Sequence, residues 1–368
     1  MIVNMQKSCG LLTPVALLTL FIGPLRADTI RISLEQAVAL AEDYHPLLRA
    51  GIAQIEAAQA DLTTARAYPN PTISAITGRQ TIRVAGNVSG LTSFFTFAQP
   101  LELGNLRPSR LELARVQREM QQHLLAGTRL SVLSDVRRTF YEVLRRREEI
   151  SILNENLRLV EELRKRIEVR VNVGEAGRLE LIRADAELVT ARSAANSARL
   201  RYISALTQFR VAVGSTLDPD FDIEGKLDAP INLPPLEVLR AQALATNPAI
   251  AYNRTQILRA RREVDYQVAL RRPQPQVIGE FEQPPDSPSY RIGLSIPLNV
   301  WNNREGPIAE AAAQIRVAES QARSRELEFV SALESAYARY NLATQQLAVF
   351  EEGLLREATE AVRSAEAA

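Results

Sequence analysis

The chain has 368 residues and a balanced charge, 44 basic against 43 acidic, for a formal net +1. That length allows one large domain or two or three ordinary ones, and the balance leaves no basic footprint for nucleic acid. One cysteine excludes an intrachain disulfide, and two histidines and three methionines are too few for a metal relay.

Residues 1–27 read as a secretory signal. Lys7 supplies the positive region, Leu11 to Phe21 is apolar, and cleavage after Ala27 leaves Asp28 as the mature start. The apolar run is too short for an ordinary membrane-spanning helix. Cys9 precedes that run, is badly placed for lipid attachment, and leaves with the signal. A mature chain without cysteine suits an oxidising exterior.

Ser33 to Ala67 is helical in pattern, capped by Ser33 with Gln36 three residues on and broken at Pro46. Tyr68-Pro69-Asn70-Pro71 ends it. Thr72 to Thr81 and Leu91 to Leu101 read as strands, joined by a loop with Gly86 and Gly90. The turn Pro100 to Arg110 leads into a helix from Arg107 to about Asn172. Leu133, Val136, Phe140, Val143, Ile150, Leu153, Leu157, Val160, Leu163, Ile167 and Val171 recur in steps of three and four, with a gap where Arg147 interrupts. That is a coiled-coil-like seam. Unbroken, the helix reaches roughly 100 Å; a break near Gly127 would shorten it. Such a rod is either a spanning, tunnel-forming element or a coiled coil that only holds partners.

Two glycines, Gly174 and Gly177, make a tight turn, and an alanine-rich helix returns to about Val213. Gly214 to Pro235 reads as loop. Pro235 to Leu270 is helical with a break at Pro248. Gln276 to Glu282 and Tyr290 to Leu298 read as strands, and a second long helix runs from about Pro307 to the end.

The second half repeats the first. SLEQAVALAEDYHP, ending at Pro46, matches PLEVLRAQALATNP, ending at Pro248, and Tyr68–Pro71 matches Arg272–Pro275. Pro100, Arg107 and the seam from Leu133 to Leu157 fall, at one constant offset, on Pro297, Arg304 and a seam from Val330 to Leu354. The division is therefore 28–214 as a first repeat, 215–234 as linker and 235–368 as a second repeat. That second repeat lacks the turn and return helix, the expectation for a chain truncated at its C-terminal end.

Tyr290, Ile292, Leu294 and Ile296 point to one side of their strand, and Arg291, Gly293 and Ser295 to the other. Strands of nine to eleven residues cross a bilayer when tilted, and the four apolar residues are the expected lipid-facing side. Open edges in hydrocarbon are costly. Four strands do not close a barrel, so several chains must contribute. The competing expectation is a small soluble sheet on a helical bundle.

The doubled plan, YPNP, FAQPLELGNLRPSR, GEAGRLELIRADAEL and LSIPLNVWNNREG together resemble the TolC-like outer membrane factors, the exit ducts of bacterial efflux and type I secretion systems. The resemblance covers nearly all of the mature chain, and LELGNLR is similar to the heavy-metal efflux branch. It implies a mainly α fold with a small β part. Three copies would give four strands each to a twelve-stranded outer membrane barrel, and long helices would continue it as a tunnel through the periplasm. It implies passive conduction, with an inner-membrane pump and a periplasmic adaptor at the helical tips. Gly174, Glu175, Gly177, Arg178 and Leu181 would form the adaptor contact, and Arg178, Glu180, Arg183 and Asp185 the charges near the gate. It implies no cofactor.

The alternative is a periplasmic coiled-coil adaptor or scaffold without a pore, extractable without detergent. An enzyme is disfavoured. His45 and His123 sit in separate helical contexts, and no nucleophile elbow, phosphate loop or metal-spaced cluster is present. Glu148-Glu149, Glu161-Glu162 and Glu351-Glu352 are adjacent rather than opposed across a cleft.

Overall fold

The structure is a computed structural model describing residues 30–81, 89–214, 217, 221–227, 231, 233–350, 353 and 355–367. The signal segment with Lys7, Cys9 and Ala27, and Gly86 of the first strand loop, lie outside these residues.

A short strand, β1 (Ile30–Ile32), leads into α1 (Leu34–Tyr44) and α2 (Pro46–Arg66). Ser33 starts α1 with a reciprocal cap. The Gln36 N–H donates to Ser33 Oγ, and the Ser33 N–H donates to Gln36 Oε1. The joint falls at His45, held extended because Pro46 disfavours helix in the residue before it. Strands β2 (Thr72–Gln80) and β3 (Gly90–Pro100) form an antiparallel hairpin. Helix α3 (Leu106–Asn172) runs 67 residues, about 100 Å, through Gly127 without a break. Helix α4 (Arg178–Val213) returns along it. Then follow β4 (Phe221–Ile223), α5 (Leu236–Thr246), α6 (Pro248–Leu270), β5 (Gln276–Gln283), β6 (Ser289–Ser295), α7 (Glu305–Val349) and α8 (Leu355–Ala367).

Two boundaries differ from expectation. The segment read as loop after Gly214 contains β4, which pairs in parallel with β1, Ile30 opposite Phe221 and Ile32 opposite Ile223. Strand β6 stops at Ser295, not Leu298, so Ile296 lies past its end. Its partner β5 begins at Gln276, directly after Pro275, which has no N–H to extend the ladder. Helix α7 carries the second long helical pattern to Val349, and α8 begins at Leu355.

Helices α2, α3, α6 and α7 lie side by side in that order as a wall, with α4 continuing the pairing along the far half of α3. The best-buried core sits where α1, α3, α4 and the β1–β4 strap meet, on Val136, Phe140, Val143, Leu144, Phe209 and Ile223. Arg147 explains its own interruption of the seam: its guanidinium donates to Ile223 O at 2.7 Å and Gly225 O at 3.1 Å, pinning the strap to α3. Farther along α3, among the described residues, α4 alone packs on the seam. Ile150 to Val171 are there half-buried at best, and Leu163 is exposed.

The two helix joints are capped differently. At the first, the Leu47 N–H donates to His45 Nδ1 at 3.2 Å; at the second, the Ala249 N–H donates to Asn247 Oδ1 at 2.8 Å. Gly214, in the left-handed region at φ 102°, lies so close to His45 that an added Cβ would sit 3.1 Å from its Cα. Burial holds the imidazole below its ordinary value of 6.5. Protonation removes the Nδ1 acceptor and sets a cation at a helix N-terminus. The His45 contribution is therefore full above pH 6.5, falls as pH drops past it, and is gone below the lowered value. Protection of the Leu47 amide is expected to decline with acidification over that window, and His45→Asn to make it insensitive to pH.

Candidate functional site: an open sheet and a helical tip

The four longer strands form one antiparallel sheet in the order β2-β3-β5-β6. Strands β2 and β6 are its edges, and neither has an outer partner among the described residues. Residues directly opposite in an antiparallel ladder share a face, so the registers sort every side chain. One face carries Ile73, Phe95, Phe97, Val277, Phe281, Tyr290, Ile292 and Leu294. Tyr290 is 78% and Ile292 88% exposed. Phe95 lies 6.0 Å from Phe281 and Phe281 5.0 Å from Tyr290, an aromatic row across three strands.

The other face carries Ser74, Thr96, Glu280, Glu282, Ser289, Arg291 and Ser295, with Ile76, Phe94 and Ile278 as apolar exceptions. Arg291 bonds Glu282 at 2.6 Å and lies 3.8 Å from Glu280. A soluble sheet turns its apolar face inward. Here that face is left uncovered, with Ile73, Phe95, Phe97, Tyr290, Ile292 and Leu294 all exposed, and a contiguous apolar patch of this kind marks a membrane or partner surface. Among the described residues no helix is long and apolar enough to cross a membrane.

At the opposite end, Gly174 closes the α3–α4 turn at φ 83°, a conformation that favours glycine. The N–H groups of Glu175 and Ala176 both donate to Arg170 O. Of the residues expected here, Gly174, Glu175, Gly177 and Arg178 lie at the turn. Leu181 is half-buried, whereas Val173, Leu179 and Ile182, not singled out from the sequence, are exposed. Asp185 bonds Arg164 across the hairpin at 2.8 Å. Arg178, Glu180 and Arg183 form no ion pair among the described residues. Glu161–Arg192 and Glu149–Arg201 repeat the cross-hairpin pairing up the shaft.

An open-edged sheet with an apolar outer face, continued by a rod of about 100 Å, defines the protein class: a subunit of an outer membrane channel with a helical extension. Residues 37–215 match the family described as outer membrane efflux protein. The cobalt-zinc-cadmium resistance protein CzcC of Cupriavidus metallidurans is 26% identical over 302 residues, 79% of this chain and 68% of its own length. Two solved channels share the fold. OprN has a TM-score of 0.70 at 18% identity, covering 91% of this chain and 80% of its own. CmeC of Campylobacter jejuni has 0.69 at 17%, covering 88% and 78%. The family match spans just under half of the chain, and the chain is similar to the outer membrane efflux proteins, the TolC-like outer membrane factors. It is an outer membrane exit duct whose helical part lies in the periplasm, and its relatives are channel and efflux proteins.

Proposed function

We propose that three copies assemble, β6 of each pairing with β2 of the next, to close a twelve-stranded barrel that conducts substrate passively. The observation that carries this is the sheet itself: two unpaired edges flank an exposed apolar face. In hydrocarbon each unsatisfied backbone group costs several kcal/mol, and closure removes the cost. The face with Glu280, Glu282, Arg291 and the Ser and Thr residues then lines the water-filled lumen, while Tyr290, Ile292 and Leu294 meet lipid. The two halves, 28–214 and 235–368, are the doubled unit of this plan, joined by 215–234. The repeated order of two helices, two strands and a long helix supports that division.

The α3–α4 tip is the end that meets a periplasmic adaptor and, through it, an inner-membrane pump. Gly174, Glu175, Gly177 and Arg178 supply the turn, and the exposed Val173, Leu179 and Ile182 supply apolar contact. The likeness to CzcC favours divalent heavy-metal cations as cargo. Counting subunits in detergent and measuring conductance in planar bilayers tests the reading. A conducting trimer is expected; a monomer without conductance overturns it.

The unpaired tip charges are expected to steer docking rather than hold the fold. Arg183→Glu should leave trimer mass and helix content unchanged, while altering both the adaptor association rate and its dependence on salt. Surface plasmon resonance with the adaptor over a salt series checks this.

A further inference from the structure

We propose that residues 296–301, which follow β6, lie in the phospholipid interface of the periplasmic leaflet, with Trp301 as the anchor at headgroup level. This rests on the duct reading above. A tilted strand needs about 9–11 residues to cross the hydrocarbon, and β6 has 7. The chain makes up the shortfall past its end. Ile296, Leu298 and Val300 are exposed and keep the spacing of Tyr290, Ile292 and Leu294, so the alternation outlasts the ladder that Pro275 cuts short.

The run then stops. The Val300 N–H donates to Leu298 O at 3.0 Å, a tight turn, and Asn299 Nδ2 donates to Arg271 O at 2.7 Å. That bond ties the run to the end of α6, the side of the sheet from which the helices leave, and hence the periplasmic side. Beyond the turn Trp301 is 96% exposed, the most exposed large apolar residue among those described. An indole has an apolar body and one N–H, the combination that settles between acyl chain and headgroup. Arg271 and Arg272, both exposed at the same end, suit the phosphate level. A neighbouring subunit is the competing occupant. However, subunits meet through the backbone edge of β6, whereas this run shares the spacing of the face turned away from the lumen.

Trp301 is the only tryptophan in the chain, so the unmodified protein reports on it directly. The full chain is reconstituted in phosphatidylethanolamine–phosphatidylglycerol vesicles carrying phosphatidylcholine brominated at defined acyl depths. The expected result is blue-shifted emission, quenched most by bromines nearest the headgroup and little by aqueous iodide. Quenching by iodide alone would place the indole in water. Blue-shifted emission that no brominated lipid quenches would place it against a neighbouring subunit. Either result overturns the anchor. Subunit number and conductance are measured on the same sample. A conducting trimer with either of those two spectra removes the anchor alone; a non-conducting monomer removes the duct reading and the anchor with it.

Discussion

Ile292→Arg is expected to abolish barrel assembly, while Gly293→Arg, one residue along the same strand, is expected to leave it standing and alter conduction. The charge and the side chain are the same, so only the face differs. Ile292 stands at the middle of β6 on the apolar side and is 88% exposed. In the proposed barrel that exposure is to acyl chains. An arginine on the lipid face costs about 2–4 kcal/mol at mid-bilayer and less near the interfaces, and three subunits each bear the cost. Gly293 pairs with Ile278 on the opposite face, and an added Cβ there meets nothing within 4 Å. An arginine at 293 has room, reaches lumenal water and joins the level of Glu280 and Arg291. Three added positive charges then lower cation preference. The measurements are the trimer fraction recovered from outer membranes and the reversal potential in a salt gradient. Equal loss of trimer in both variants would mean that the faces are misassigned or that the sheet does not span the membrane.

Much of this geometry is legible in the sequence because it rests on strong local rules. Pro46, Pro71 and Pro248 remove or restrict backbone options, so helix ends fall within a residue of expectation. Strict alternation from Tyr290 fixes the faces of β6. Alternation likewise puts Phe95 and Phe97 on one face of β3, and the register agrees: they share one face of the sheet and Phe94 takes the other. The β1–β4 strap was not legible, since three residues per strand carry no measurable period and its pairing joins segments far apart in the chain. Arg147 was visible only as a defect in the seam. Its function needs the carbonyls of Ile223 and Gly225, which only the folded chain brings to it. At the tip, spacing located the turn through its glycines, but not which leucine faces α3. Half-buried Leu181 lies two residues from exposed Leu179 and one from exposed Ile182, and only packing decides between them.

Phe209→Ala is expected to loosen the strap and the end of α4 by about 3–5 kcal/mol, the range for emptying a fully buried aromatic position. Phe209 is the ring through which three elements touch. Its centroid lies 5.9 Å from Phe140 of α3 in an edge-on contact and 5.8 Å from Phe221 of β4, and none of it is exposed. The cavity cannot collapse readily, because α3 and α4 are long helices held in register by Arg201–Glu149 and Arg192–Glu161, both on the tip side of the ring. The Arg147 bonds to Ile223 O and Gly225 O still tether the strap, so local opening rather than unfolding of the whole chain is the expected response. The Glu224 N–H, which donates to Ile32 O across the strap, is the reporter. Its exchange should accelerate by about two to nearly four orders of magnitude. Leu200→Ala, at an exposed position of the same helix, should change it by a factor of about two or less. Strand amides in the sheet should be unchanged in both variants, since no buried residue of the strap core lies in β2, β3, β5 or β6. If Phe209→Ala and Leu200→Ala prove alike, the strap is held by Arg147 alone, and Arg147→Met should then release it where loss of the aromatic ring did not.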